Sequence, residues 1–287
     1  MKRIVLFLLT NILVVVTISI LLNLLGVQRY ASSQGLDYPN LMAFCLIWGM
    51  AGSLISLAIS RISAKWMMGI QLIERHSPDA GWVYQMVEEL SRKAGLPVTP
   101  EIGIYNSPEI DAFATGPSKR RALVAFSTGL LNSMNRNEVE GVAAHEIAHI
   151  ANGDMVTMTL LQGVINAFVM FFSRIIAWAL TQNSRDENRH ASTWMITMVL
   201  EMVLGILGML VVCAFSRYRE FRADYGGARF AGKQDMIAAL ERLAANTRMY
   251  DRQPALAAFK ISGGPGALFS THPPLEKRIE ALRKAAI

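Results

Sequence analysis

His145-Glu146-Ile147-Ala148-His149 is the stretch that decides how the rest of the chain is read. On a helix, residues i and i+4 share a face, so both imidazoles can reach one metal ion. Glu146 lies on a neighbouring part of that face, where it can act on a water at the metal without being a ligand. The flanks support a helix: Asn137 followed by Glu140 has capping-box spacing, and Gly153 is placed to end it. The same pattern also occurs on helices that bind nothing, so the motif needs partners elsewhere.

A catalytic zinc takes a third protein ligand and leaves one position for water. The candidate is Arg219-Glu220-Phe221-Arg222-Ala223-Asp224, where Glu220 and Asp224 are again i, i+4 on an expected helix. Glu220 can be the third ligand, and Asp224 can accept the free N–H of a ligand histidine. A solvated carboxylate pair among arginines reads equally well from these residues alone. Topology connects the two motifs. His149 and Glu220 are 71 residues apart, and two apolar runs, 155–180 and 194–215, fill most of the interval. Two crossings, or a hairpin that dips in without crossing, return the chain to its starting side.

Two more apolar runs, 4–26 and 41–59, precede the motif. The first exceeds the 7–15 apolar residues of a signal peptide and lacks a small-residue cleavage site, so it reads as an uncleaved span. Hydrophobic residues make up 52% of the 287 and charged residues 17%, against about a quarter charged in ordinary soluble domains. This excess in long runs is the pattern of membrane helices in a lipid bilayer. The net charge of +6 comes from scattered basic residues without any nucleic-acid motif, which excludes a nucleic-acid partner. Lys2, Arg3, Arg61, Lys65, Arg217, Arg219 and Arg222 flank ends that share one side. The positive-inside rule places that side, with both termini, in the cytoplasm. Cys45 and Cys213 both fall in apolar runs and form no disulfide framework.

The expected organisation is an N-terminal transmembrane hairpin (1–59) and a cytoplasmic catalytic part carrying the His-Glu helix (60–154). A second hairpin, spanning or dipping (155–215), and a cytoplasmic C-terminal part (216–287) complete it. Ala80–Ala94 has helical periodicity, and Glu101–Tyr105 and Ala122–Phe126 read as strands separated by a loop around Gly116-Pro117. The strand 122–126 reads equally well as an edge on which an extended substrate adds and as a plain sheet border. Arg174 and Glu201, inside the last two runs, are placed to pair with each other, or Arg174 to snorkel to the interface.

Together with the N-terminal hairpin, Ala112-Phe-Ala-Thr-Gly116, Ser127-Thr-Gly-Leu-Leu131, His145–Asp154, Ser216–Asp224 and Thr271-His-Pro-Pro-Leu275 carry a family resemblance along essentially the whole chain. The chain resembles the HtpX family of bacterial membrane-bound zinc metalloproteases, relatives of the CAAX prenyl proteases among gluzincin-type peptidases. The resemblance implies an α-helical membrane protein with about four membrane helices and an α+β gluzincin-type domain containing a small sheet. It implies one Zn2+ held by His145, His149 and Glu220, with Glu146 as general base and Asp224 behind a ligand. It also implies that His272 stabilises the oxyanion; read alone, His272 before two prolines is more often a surface residue. Arg278 is a candidate support for His272 and for substrate. Asp111 stands where the family usually has asparagine; it is a candidate substrate contact whose donor role is in doubt, because carboxylate only accepts. The implied substrates are misfolded or damaged membrane proteins, cut on the cytoplasmic side of the bacterial inner membrane during stress-related quality control. A non-catalytic membrane scaffold with structural zinc would have no need of Glu146 and would usually close the metal with four protein ligands.

Overall fold

The structure is a computed structural model that describes residues 37–182, 189–251 and 270–286. The first apolar run and the Gly263–Gly266 segment lie outside the described residues. Helix α1 (Tyr38–Met68) leads to a short strand β1 (Gln71–Leu72) and to α2 (Gly81–Lys93). Strands β2 (Glu101–Tyr105), β3 (Ala112–Ser118) and β4 (Arg121–Ser127) follow. Next come α3 (Thr128–Ser133), α4 (Arg136–Asn152), α5 (Asp154–Thr181), α6 (Arg189–Ala231), α7 (Lys233–Asp251) and α8 (Leu275–Lys284). Three of these, α1, α5 and α6 from His190 on, are long and apolar enough to cross a membrane. At ~1.5 Å per residue, α6 is roughly 65 Å long, about twice the hydrocarbon thickness.

The described residues fall into two compact units, one holding those up to 55 with those between 159 and 209, the other those from 56 to 158 with those from 210 on. In the second, the sheet order is β1-β2-β4-β3, with β2 and β4 parallel and the outer pairs antiparallel. β4 is central and buried from Ala122 to Ser127. Alternation sends Val124 and Phe126 into one core with α2 and α4, and Leu123 and Ala125 into another with Ile70 and Tyr105. This corrects the expected edge. The stretch around Gly116-Pro117 is the far half of a β3–β4 hairpin with a register shift between Thr115 and Ser118. β4 is paired on both sides, and the edges of the sheet are β1 and β3. Lys119, at the hairpin turn, donates from Nζ to the Ala151 carbonyl and ties the hairpin to the end of α4.

α4 begins two residues earlier than its sequence suggests. Asn-x-x-Glu spacing occurs twice here, and the pair used is Asn135 and Glu138. Asn135 Oδ1 accepts from Glu138 N at 3.0 Å, and Glu138 Oε2 accepts from Asn135 N at 2.9 Å. Val139 then lies in the core nearly two turns before the motif. Gly153 ends the helix at φ 67°, a left-handed conformation that suits glycine.

Candidate active site

α4 contributes His145, Glu146 and His149; the two histidines are buried and Glu146 is half-buried. α6 crosses α4 at very short range because of Gly226 and Gly227. A Cβ on Gly226 would lie 2.9 Å from Ala148 Cβ, and one on Gly227 only 3.1 Å from the His145 backbone nitrogen. This approach carries Glu220 and Asp224, about two turns and one turn earlier on α6, to the histidines.

His145 Nε2 and His149 Nε2 are 3.1 Å apart. Glu220 completes the cluster, with Oε2 3.4 Å from His145 Nε2 and Oε1 3.2 Å from His149 Nε2. Ligand atoms of all three residues lie within 4.8 Å of one another. Behind them, His145 Nδ1 donates to Asp224 Oδ1 at 2.9 Å and His149 Nδ1 to Asp154 Oδ2 at 2.7 Å. Each acceptor fixes a tautomer that leaves the Nε2 lone pair facing the other ring and the Glu220 carboxylate. Glu220 Oε1 is buried yet has no hydrogen-bond partner. Two nitrogen lone pairs and a carboxylate converging in a buried space fit a cation, and two imidazoles with one carboxylate are a donor set suited to zinc.

The electrostatics follow the same geometry. Burial alone would lower the His145 pKa, but the Asp224 and Glu220 carboxylates outweigh it and push it up to about 9. Burial opposes the charge on Glu220, yet the three imidazoles around it hold its carboxyl well below the usual range. Glu146, by contrast, is raised by burial, with the two histidines only partly opposing the rise. A carboxylate poised this way suits proton transfer.

Arg278 is 6% exposed and is the countercharge of the cluster. Its Nε and Nη2 donate to the two Asp224 oxygens at 2.8 and 2.6 Å, and Nη1 lies 3.3 Å from Glu220 Oε2. The forked pairing holds Asp224 against His145, a support for the carboxylates rather than the expected support for His272. His272 is exposed on one side and donates from Nδ1 to Glu220 Oε2 at 2.9 Å. Asp111 lines the same cavity, of about 180 Å³, as His145, Glu146, Glu220, His272 and Arg278. The structure thus brings the metal-ligand, base, His272, Asp224, Asp111 and Arg278 candidates of the sequence together around one cluster. Asp154 was missed; its only signal is its place directly after the Gly153 helix stop.

The model of peptidase family M48 matches residues 77–286. The chain belongs to peptidase family M48. It is 50% identical to Protease HtpX of Cellvibrio japonicus over 292 residues, covering 100% of this chain and 99% of that protein. It is also 50% identical to Protease HtpX homolog of Thiobacillus denitrificans over 290 residues, covering 99% of each. The crystal structure of S. mikatae Ste24p shares the fold, with a TM-score of 0.62 at 16% identity over 93% of this chain. The chain spans 64% of that longer protein. As a member of M48 it is a metalloprotease that hydrolyses peptide bonds, and its three long apolar helices make it a membrane protease. The membership implies a metal ion, and the His-His-Glu cluster fits one.

Proposed function

We propose that this M48 member is a zinc endopeptidase in which His145, His149 and Glu220 hold one zinc ion and Glu146 is the general base. The observation that carries the reading is the convergence of those three ligands beside Glu146 in one cavity. Bound zinc supplies Lewis acidity, bringing the pKa of water toward ~7 and polarising the scissile carbonyl. Glu146 takes a proton from the attacking water on its carboxylate and delivers it to the leaving amine. His272, oriented by its bond to Glu220, stabilises the negative charge that develops on the carbonyl oxygen. Asp154 and Asp224 keep both ligand imidazoles in the coordinating tautomer, and Arg278 offsets the carboxylate charge. β3 is an edge strand whose start, Asp111 and Ala112, lines the cavity. An extended peptide adding to that edge would run past Glu146.

The same reading assigns residues 1–59 and 155–215 to the membrane and 60–154 with 216–287 to the catalytic part. Basic residues beside the spans favour a cytoplasmic active site in the bacterial inner membrane. A soluble site tethered there suits misfolded or damaged membrane proteins as substrates, a quality-control and stress role.

The test is metal analysis of the purified protein together with cleavage of an unfolded protein substrate before and after chelation. About one zinc per chain is expected, with activity lost on chelation and restored by zinc. Glu146→Gln should bind zinc but cleave at least 100-fold more slowly, the usual scale of general acid–base catalysis. A Gln variant as fast as the parent would rule out the mechanism.

A further inference from the structure

We propose that Asp111 is a specificity-determining residue that favours substrates with a lysine or arginine beside the scissile bond. The inference rests on the protease reading above.

Asp111 is held from three directions. Its N–H donates to Ser127 Oγ at 3.2 Å, and its carbonyl accepts from Ser127 N at 3.0 Å. Its carboxylate Oδ2 accepts from the Tyr105 hydroxyl at 2.6 Å. Tyr105 is 4% exposed, so the tether comes from the core. Burial, together with the neighbouring Asp111 carboxylate, holds the phenol well above its usual pKa and keeps it a donor. The side chain behind is thus fixed, while Asp111 itself is exposed at the mouth of the cavity.

The charges around it are unequal. Arg278 faces Asp224 and Glu220, and His272 faces Glu220. Among the described residues, no basic side chain lies within ion-pair distance of Asp111. A substrate cation would supply the missing partner, and an acidic substrate side chain would be repelled. Because carboxylate accepts only, Asp111 cannot donate to a substrate carbonyl, which leaves charge as the basis of its selection. A partly exposed ion pair corresponds to about twofold to fivefold in kcat/KM.

The test uses the full-length, metal-loaded protein and peptides that differ only by lysine or its neutral isostere norleucine. The substitution is moved through three positions on each side of the cleaved bond. At one position the lysine peptide should be cut about twofold to fivefold better, mainly through KM, and Asp111→Asn should bring that ratio to about one. A parent without preference at any position, or an Asn variant that keeps it, overturns the proposal. Should Asp111→Asn fail to fold, salt decides with the parent alone. Between about 0.05 and 1 M the Debye length shrinks several-fold, so the lysine preference should shrink toward one; a preference indifferent to salt also overturns it. A parent that cuts none of the peptides with metal bound defeats the protease reading itself, a different failure from loss of selectivity.

Discussion

His149 depends on a residue five positions along, across a helix break. Its Nδ1–H reaches Asp154 at 2.7 Å, so Asp154→Ala removes the acceptor that orients the ring. Metal affinity should fall about 10- to 100-fold, measured by competition with a chelator, with Asp154→Asn in between because its amide oxygen still accepts. Equal affinity in the Ala variant would show that the bond does nothing for the metal. Asp224 gives a prediction in pH. Burial opposes its charge, but Arg278 and His145 hold its pKa below the ordinary 3.8. The unfolded chain therefore binds this proton more readily than the folded one. The stabilisation is complete above about pH 4 and is lost as pH falls through the depressed folded value. In chelator, Asp224→Asn should unfold with a shallower pH dependence below about pH 4 than the parent; parallel curves would contradict the shift. These residues differ in how visible they were. His145, Glu146, His149 and the Glu220/Asp224 pair stand at helical spacing, a local property of sequence. Arg278 is 54 residues from Asp224, and Asp154 reaches His149 only because Gly153 turns the chain, so neither role follows from periodicity.

Among the elements, apolar runs were the most legible feature and ends the least. The run expected at 41–59 is part of a helix from Tyr38 to Met68, and the run expected at 194–215 continues without a break to Ala231. Hydropathy marks where lipid is tolerated, whereas the backbone bonds that extend a helix do not register that boundary. β3 was hidden because glycine and proline in 112–118 read as a loop, and pairing with β4 outweighed the local preference. The membrane elements yield their own prediction. Arg174 Nη1 lies 2.7 Å from Glu201 Oε1 and also donates to the Met170 carbonyl. The geometry is the pairing anticipated for two charges at similar depth, where an unpaired charge is costly. In a double-mutant cycle with Arg174→Leu and Glu201→Leu, the coupling should be about 1 kcal/mol or more, read from unfolding in detergent or lipid. Strictly additive effects would mean that the pair contributes nothing there.

At the scale of the whole molecule, the cluster is also a crosslink. Its histidines sit on α4 and its carboxylate on α6, 71 residues later, and His272 and Arg278 bring in the chain around α8. That the two motifs could meet was legible in the sequence, because two apolar runs between them allow the chain to turn back. The Gly226-Gly227 contact that sets the spacing was not, since it depends on which helix face meets α4. A cation bound to all three ligands can bind only the folded arrangement, so its binding energy becomes stability. With free metal at 100 times the dissociation constant, the gain is about 2.7 kcal/mol if the unfolded chain does not bind. The unfolding midpoint should therefore rise with zinc, in step with the logarithm of its concentration once that exceeds the dissociation constant, and fall back on chelation. Glu220→Ala, left with two imidazoles 3.1 Å apart and no carboxylate between them, should show little of this rise. Glu146→Gln should keep it in full, because Glu146 is assigned to the proton and not to the metal. If Glu220→Ala gains as much as the parent, the metal is held by the histidines alone and the link between α4 and α6 is not made through it. If Glu146→Gln loses the gain, Glu146 is a ligand and the division of labour between the four residues must be redrawn.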